Sequence, residues 1–154
     1  MMIAETQITI TAVPFSTILN APNADLLLRA YAEECAVPDA TPQRAVYAAV
    51  EQAGMIRCFA AYSDASDLIG FISILAVTMP HGNRLATIES LFVDPAYRST
   101  GAANFLLDAA EQDARSAGCS NLAATARVGS VFEKVLSRRP GYSLTHSQHT
   151  RRVI

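Results

Sequence analysis

Arg98-Ser99-Thr100-Gly101-Ala102-Ala103 sets one cation, one glycine and a run of small side chains between an apolar segment and a helical one. Residues of these types at this spacing could bind an anion, although many helices simply start after a glycine. The first turn of a helix has N–H groups without intrahelical partners and lies at the positive end of the helix dipole. Small side chains at Ser99, Gly101, Ala102 and Ala103 let a large anion approach the backbone, and Arg98 adds a charge. The stretch lacks G-x-x-x-x-G-K-[ST], which disfavours a nucleotide-hydrolysing P-loop. A single glycine also falls short of the dinucleotide fingerprint G-x-G-x-x-G.

The elements that must position this loop are legible on either side of it. Leu91-Phe92-Val93 suits a buried strand, and Pro95, which has no N–H for a sheet ladder, ends it at Asp94-Pro95. From Ala102 the apolar positions Ala103, Leu106, Leu107, Ala110, Ala114 and Ala117 recur at helical spacing. Asn104, Asp108, Glu111, Gln112 and Arg115 take the other face, and Gly118 stops the helix.

With its lead-in Val93-Asp94-Pro95-Ala96-Tyr97-Arg98, the loop resembles the pyrophosphate loop [Q/R]-x-x-G-x-[G/A] of the GNAT (Gcn5-related N-acetyltransferase) superfamily. The resemblance extends through the helix to Gly118 and more loosely to the C-terminus, where Gly141-Tyr142 through Thr150-Arg151-Arg152 looks like small members carried on phages and prophages. It implies acetyl-CoA as cosubstrate and transfer of its acetyl group to an amine of a small molecule or peptide. Arg98, Ser99, Thr100, Gly101, Ala102 and Ala103 would hold the pyrophosphate. Leu91, Phe92 and Val93 would receive the pantetheine arm as a pseudo-strand, and a backbone N–H near Phe92 or Val93 would polarise the thioester carbonyl.

Glu89 lies on the same strand, two residues before Leu91, and is expected to share a face with Thr87 and Leu91. In a partly apolar cleft it could deprotonate the amine, directly or through a water; otherwise it is a carboxylate on the wet face of the strand. Thr87 is the alternative occupant of the family's usual glutamate position. The tyrosine that often serves the family as general acid is replaced. Val131-Phe132-Glu133-Lys134-Val135 matches the run F-Y-E-K-L with Phe132 in the tyrosine slot, and Thr125 stands where an asparagine is common. Five extra residues precede the Gly-aromatic pair Gly141-Tyr142. Tyr142 then becomes the candidate acid, unless the thiolate leaves unassisted or the protein binds CoA without much turnover. Glu33, Glu34 and Asp39 fall in the region that covers the acceptor in this family, and suggest a cationic amine. His81, His146 and His149 read as solvated loop or strand residues, the last two near the acceptor side; Arg138 and Arg139 read as the basic end of a helix.

The remaining chain supplies the scaffold. A half-buried strand is expected over 7–15, then a helix from Ala24 to about Cys35 capped by Asn23. A second helix, opened by Thr41-Pro42 and stopped at Gly54, is expected to bury Val46, Ala49, Val50 and Ala53. Strands follow at Ile56–Tyr62, Leu68–Thr78 and 84–93, the second apolar enough to be buried on both faces. A short strand at 121–126, a helix at 128–137 with Val131, Val135 and Leu136 inward, and strands at 142–145 and 149–154 complete the order. Periodicity alone defines α/β or α+β. The resemblance implies the GNAT acyl-CoA N-acyltransferase fold, a central mixed, mostly antiparallel sheet flanked by helices, with two strands splayed around the cofactor.

At 154 residues the chain is expected to form a single domain, 1–154, with a sizeable core. No apolar run could span a bilayer and the N-terminus has no secretory pattern, so a cytoplasmic protein without a membrane partner is expected. Cys35, Cys58 and Cys119 are scattered, without a C-x-x-C, and read as core residues in a reducing compartment; no metal site is expected. The charge is acidic in the first seventy residues and basic beyond Asn121, but without interleaved aromatics in the basic part nucleic acid is not the expected partner. A non-catalytic acyl-CoA-binding module is the competing class. Many family members dimerise through their C-terminal strands, which makes a homodimer compatible with the resemblance.

Overall fold

The computed structural model describes residues 7–35, 43–145, 151 and 153. Its centre is a five-stranded sheet in sequence order: β1 (Thr9–Val13), β2 (Ile56–Tyr62), β3 (Leu68–Thr78), β4 (Arg84–Val93) and β5 (Asn121–Ala124). The first four run antiparallel and β5 is parallel to β4, giving the mixed, mostly antiparallel sheet with helices on its faces. The central strand β3 is buried from Leu68 to Ile74, as its unbroken apolar run predicts. Gly70 within it admits the Phe92 carbonyl so closely that a β-carbon would lie 2.7 Å from that oxygen.

Each face of the sheet has its own core. On one, α4 (Ala102–Ser116) lays Ala102, Leu106, Leu107, Ala110 and Ala114 against Ile72, Ile74, Ala86 and Ile88. On the other, Phe71, Phe92, Cys58 and Ala60 meet α1 (Phe15–Leu19), α2 (Ala24–Glu34) and α3 (Arg44–Gln52). The last helix, α5 (Val131–Arg138), packs half-buried Phe132, Val135 and Leu136 against the α4 side.

Several local expectations change. β1 stops at Val13, and Pro14 opens the unforeseen helix α1, whose Phe15 and Ile18 are buried. Proline at that point starts a helix as readily as it ends a strand. Asn23 does not cap α2; its side-chain amide donates to the Leu68 carbonyl at 2.8 Å, tying the helix to the sheet. α3 fully buries none of its residues: Val46 is 55% exposed, and Tyr47 and Val50 turn inward instead of Ala49 and Ala53. Ser130 caps α5 by accepting from the Glu133 N–H, and Val131 faces out where Phe132 faces in. Residues 142–145 form no strand. The Thr41-Pro42 helix start, Asp39, His146, His149 and most of the expected strand 149–154 lie outside the described residues.

Candidate active site

The loop after β4 is a 3₁₀ turn, Pro95–Thr100, opened by Asp94, whose side chain accepts from the Ala96 N–H at 2.9 Å. Gly101 then takes φ +83°, a left-handed conformation that costs other residues roughly 1 kcal/mol or more. Its carbonyl accepts the first α4 bond, from the Phe105 N–H at 3.1 Å. Among the described residues no side chain caps α4. The amides of the first turn, over Ala102, Ala103 and Asn104, are therefore left for an anion at the start of a 15-residue helix. Ser99 is exposed beside them, and the Thr100 hydroxyl donates to the Tyr97 carbonyl at 2.6 Å, pinning the turn.

Arg98 departs from its expected part. Its Nε donates to the Val93 carbonyl at 3.0 Å, its Nη2 pairs with Glu34 at 2.7 Å, and its guanidinium lies 5.6 Å from the Phe92 ring centre. The guanidinium is already committed to neighbours, so the cradle relies on backbone amides more than on this charge. The same pair answers for Glu34, which faces Arg98 instead of standing free for a cationic substrate.

The sheet opens at this point. β5 pairs with β4 only from Leu85–Asn121 to Ile88–Ala124, so 89–93 have no partner on that side within the described residues. The Asp94 N–H donates to the Ile69 carbonyl at 2.8 Å, which fixes the phase of the β3–β4 ladder. By alternation Phe92 presents its amide and carbonyl to β3, while Leu91 and Val93 present theirs to the gap. The Val93 carbonyl is the one engaged by Arg98, leaving the Leu91 groups and the Val93 N–H as the strand-like edge. The oxyanion donor expected near Phe92 or Val93 is thereby narrowed, since Phe92 faces the wrong way.

Glu89 is the extra residue of a β-bulge: Ser73 pairs with Ser90 and Ile74 with Ile88. The bulge sets Glu89 and Ser90 on one face, so Glu89 does not share a face with Leu91, which packs in the α4-side core. Glu89 accepts from the Tyr47 hydroxyl at 3.0 Å and the Ser73 hydroxyl at 2.5 Å. Ser73 has a single proton, so the 2.5 Å contact between the two serines runs from Ser90 to Ser73. Burial, reinforced by the Glu89 charge, raises Tyr47 well above the usual phenol range, so it remains a donor at any physiological pH. Glu89 opens on a cleft of about 410 Å³ between β3, β4 and the α1–α3 layer.

Tyr142 lies elsewhere, beside Glu111 of α4 and outside the lining of that cleft. Burial and the Glu111 carboxylate push its ionisation up to about 12; its buried hydroxyl falls short of hydrogen-bond geometry with any described residue. Phe132 is core and carries no proton. Arg139, expected at the basic end of a helix, is only 13% exposed and reaches Asn104, Asp108 and Glu111 along α4. Tyr47, Ser73 and Ser90 were not foreseen as site residues. A serine inside the apolar run of β3 was the available signal.

Free amides at a helix start, below two parting strands and behind a carboxylate in a cleft, define an acyltransferase framework. The chain belongs to the acetyltransferase (GNAT) family, whose profile matches residues 24–132. No curated protein sequence matches it significantly. Among solved structures it is similar to a ribosomal-protein-alanine N-acetyltransferase from Brucella melitensis biovar Abortus 2308, with a TM-score of 0.73 and 20% identity, over 95% of this chain and 99% of that one. An aminoglycoside acetyltransferase, meta-AAC0020, from an uncultured soil metagenomic sample and solved with sisomicin, is similar at a TM-score of 0.70 and 16% identity, over 94% and 97%. The aminoglycoside N-acetyltransferase AAC(6')-Iy in complex with CoA gives 0.70 and 18%, over 96% and 95%. At such identities the likeness is one of fold.

Among the described residues no helix is long and apolar enough to cross a membrane, and no group of three or more His, Cys, Asp or Glu is placed to hold a metal ion.

Proposed function

We propose that the protein transfers the acetyl group of acetyl-CoA to a primary amine of a small molecule or peptide, by direct attack of the amine on the thioester. The observation that carries this is the uncapped α4 start lying next to the unpaired edge of β4. One feature receives a pyrophosphate and the other a peptide-like arm. Bound there, acetyl-CoA supplies an activated acyl carbon. Backbone amides of Ala102 to Asn104 hold its phosphates beside Gly101 and exposed Ser99, with Arg98 bracing the turn through Val93 and Glu34. The Leu91 and Val93 edge orients the pantetheine, and one of its N–H groups donates to the carbonyl as it gains negative charge.

Glu89 takes the proton of the incoming ammonium, directly or through a water, while Tyr47 and Ser73 fix the carboxylate. Phe132 offers nothing to the departing thiolate. Tyr142 is the proposed donor to it, supported by a hydroxyl beside Glu111 that keeps its proton at neutral pH. Tyr142→Phe then lowers kcat by roughly 10- to 100-fold, and an unchanged kcat means that the thiolate leaves unassisted.

Calorimetric titration with acetyl-CoA and with CoA tests the cofactor site. Micromolar binding by the wild type, weakened at least ~10-fold in Gly101→Asp, is expected, because the aspartate strains the left-handed turn and repels phosphate. A folded wild type that binds neither ligand overturns the reading.

A further inference from the structure

The cleft in front of Glu89 is more selective than acyl transfer alone requires. Its volume, about 410 Å³, falls within the roughly 300–1,000 Å³ of small-molecule sites. Its walls include four aromatic rings, Phe15, Tyr31, Tyr47 and Phe71, with aliphatic Leu28 and Val50 between them. Phe15 and Tyr47 stack at 3.8 Å and 10°, and Tyr31 meets Phe71 edge-on at 5.8 Å. Among the described residues Glu89 is the sole carboxylate lining the cleft, and no lysine, arginine or histidine lines it. Of the other acids nearby, Glu34 is paired with Arg98, and Glu51 accepts from the Phe15 N–H and is not among the lining residues. The two tyrosines keep their protons, since burial raises both.

One carboxylate neutralises one ammonium. Within the described lining a second or third ammonium would lie against aromatic and aliphatic carbon, stripped of water and without a carboxylate. An apolar body, in contrast, gains from every wall, and a ring can add to the existing edge-on and stacked contacts. Resting on the acetyltransfer reading above, we infer that the acceptor is a monoamine carried on a compact aromatic body, an arylalkylamine, and not a polycation such as an aminoglycoside or a polyamine. Its ammonium gives one proton to Glu89. The free nitrogen forms the C–N bond as the C–S bond breaks, and the nitrogen's surplus proton balances the thiolate, so that N-acetylamine and CoA thiol are the products.

The test compares thiol release from acetyl-CoA with 2-phenylethylamine, tryptamine, spermidine, sisomicin and a lysine-rich peptide headed by alanine. Acetyl-CoA affinity is measured calorimetrically on the same preparation. The expected result is a kcat/KM for the two arylalkylamines at least ~10-fold above the rest. Val46→Asp, at a lining position that is 55% exposed and therefore safe for folding, should lower that kcat/KM about 10-fold. The same change should leave the acetyl-CoA affinity in place. A polycation or the peptide as best acceptor, or no turnover of either arylalkylamine by protein that binds acetyl-CoA, overturns the inference and leaves the acetyltransfer reading standing. If acetyl-CoA does not bind, that reading falls. Direct titration of 2-phenylethylamine then decides the cleft by itself, binding supporting an arylalkylamine site and its absence overturning it.

Discussion

Glu89 is held by two hydroxyls from two different elements, Tyr47 on α3 and Ser73 on β3, with Ser90 behind Ser73. A carboxylate placed this way has lost its rotamer freedom before any substrate arrives, and with the proposed role as base its removal should be felt in turnover alone. Glu89→Gln keeps the shape and is expected to lower kcat by about 100-fold or more, with acetyl-CoA affinity unchanged; a fall of less than ~3-fold would remove Glu89 from the chemistry. Cys58 makes a second residue-scale prediction. It is buried at 3% exposure, and burial, aided by Glu51 and Glu89, pushes its thiol up to about 12 from an ordinary 9.0. The folded thiol therefore keeps its proton where the unfolded one ionises. This contribution is intact below about pH 9 and is lost as pH rises towards 12, at a slope near 1.4 kcal/mol per pH unit. At pH 8 a thiol reagent should modify half-buried Cys35 and Cys119 in the native protein, and Cys58 only after unfolding. At this scale the geometry of the loop after β4 was legible, because Pro95 ends a strand and Gly101 admits the left-handed turn that precedes α4. The orientation of Glu89 was not: a bulge adds one residue to the ladder without any mark in the local sequence, and every face assignment beyond it inverts.

Elements were read well where burial is continuous and poorly where one face is shared. β2, β3, β4 and the α4 helix follow their apolar periods closely, whereas α1 is too short for a period and α3 too weakly buried to reveal its inward face. The contact between α4 and the segment after α5 was invisible for another reason: it joins residues about thirty positions apart through charge. Arg139 donates Nε to Glu111 at 2.8 Å, Nη2 to Asp108 at 2.5 Å and Nη1 to Asn104 at 3.2 Å, spanning successive turns of α4. The planar guanidinium can reach all three at once, and its own side chain is only 13% exposed. Arg139→Ala should cost about 2–3 kcal/mol, read as a lowered urea midpoint at unchanged slope. Arg139→Lys keeps the charge but loses the fork, and should fall between the two. An alanine variant as stable as the wild type would mean that α5 is held by Phe132, Val135 and Leu136 alone.

At the scale of the molecule the two faces of the sheet are unequal, and that inequality has a dynamic consequence. The α4 face is closed by a 15-residue helix with five buried side chains. The opposite face is covered by α1, α2 and α3, of which α3 buries no residue fully and α2 leaves Leu26 67% exposed. Helix stability in proteins comes chiefly from tertiary packing of an apolar face, so α3 should open at lower free energy than the sheet. Yet α3 supplies Tyr47, which both stacks on Phe15 and orients Glu89, so this wall of the cleft rests on the least anchored layer. Native-state hydrogen exchange should show α3 amides protected well below those of β3 and α4. An amine that fills the cleft should raise protection selectively in α3, by RT ln(1 + [L]/Kd), which is about 2.7 kcal/mol at a hundredfold excess over Kd. Acetyl-CoA alone, whose proposed place is the α4 start, should leave α3 nearly unchanged. Equal protection of α3 and β3 in the free protein would show instead that the cleft is preformed and rigid, and that the substrate enters without any opening of this layer.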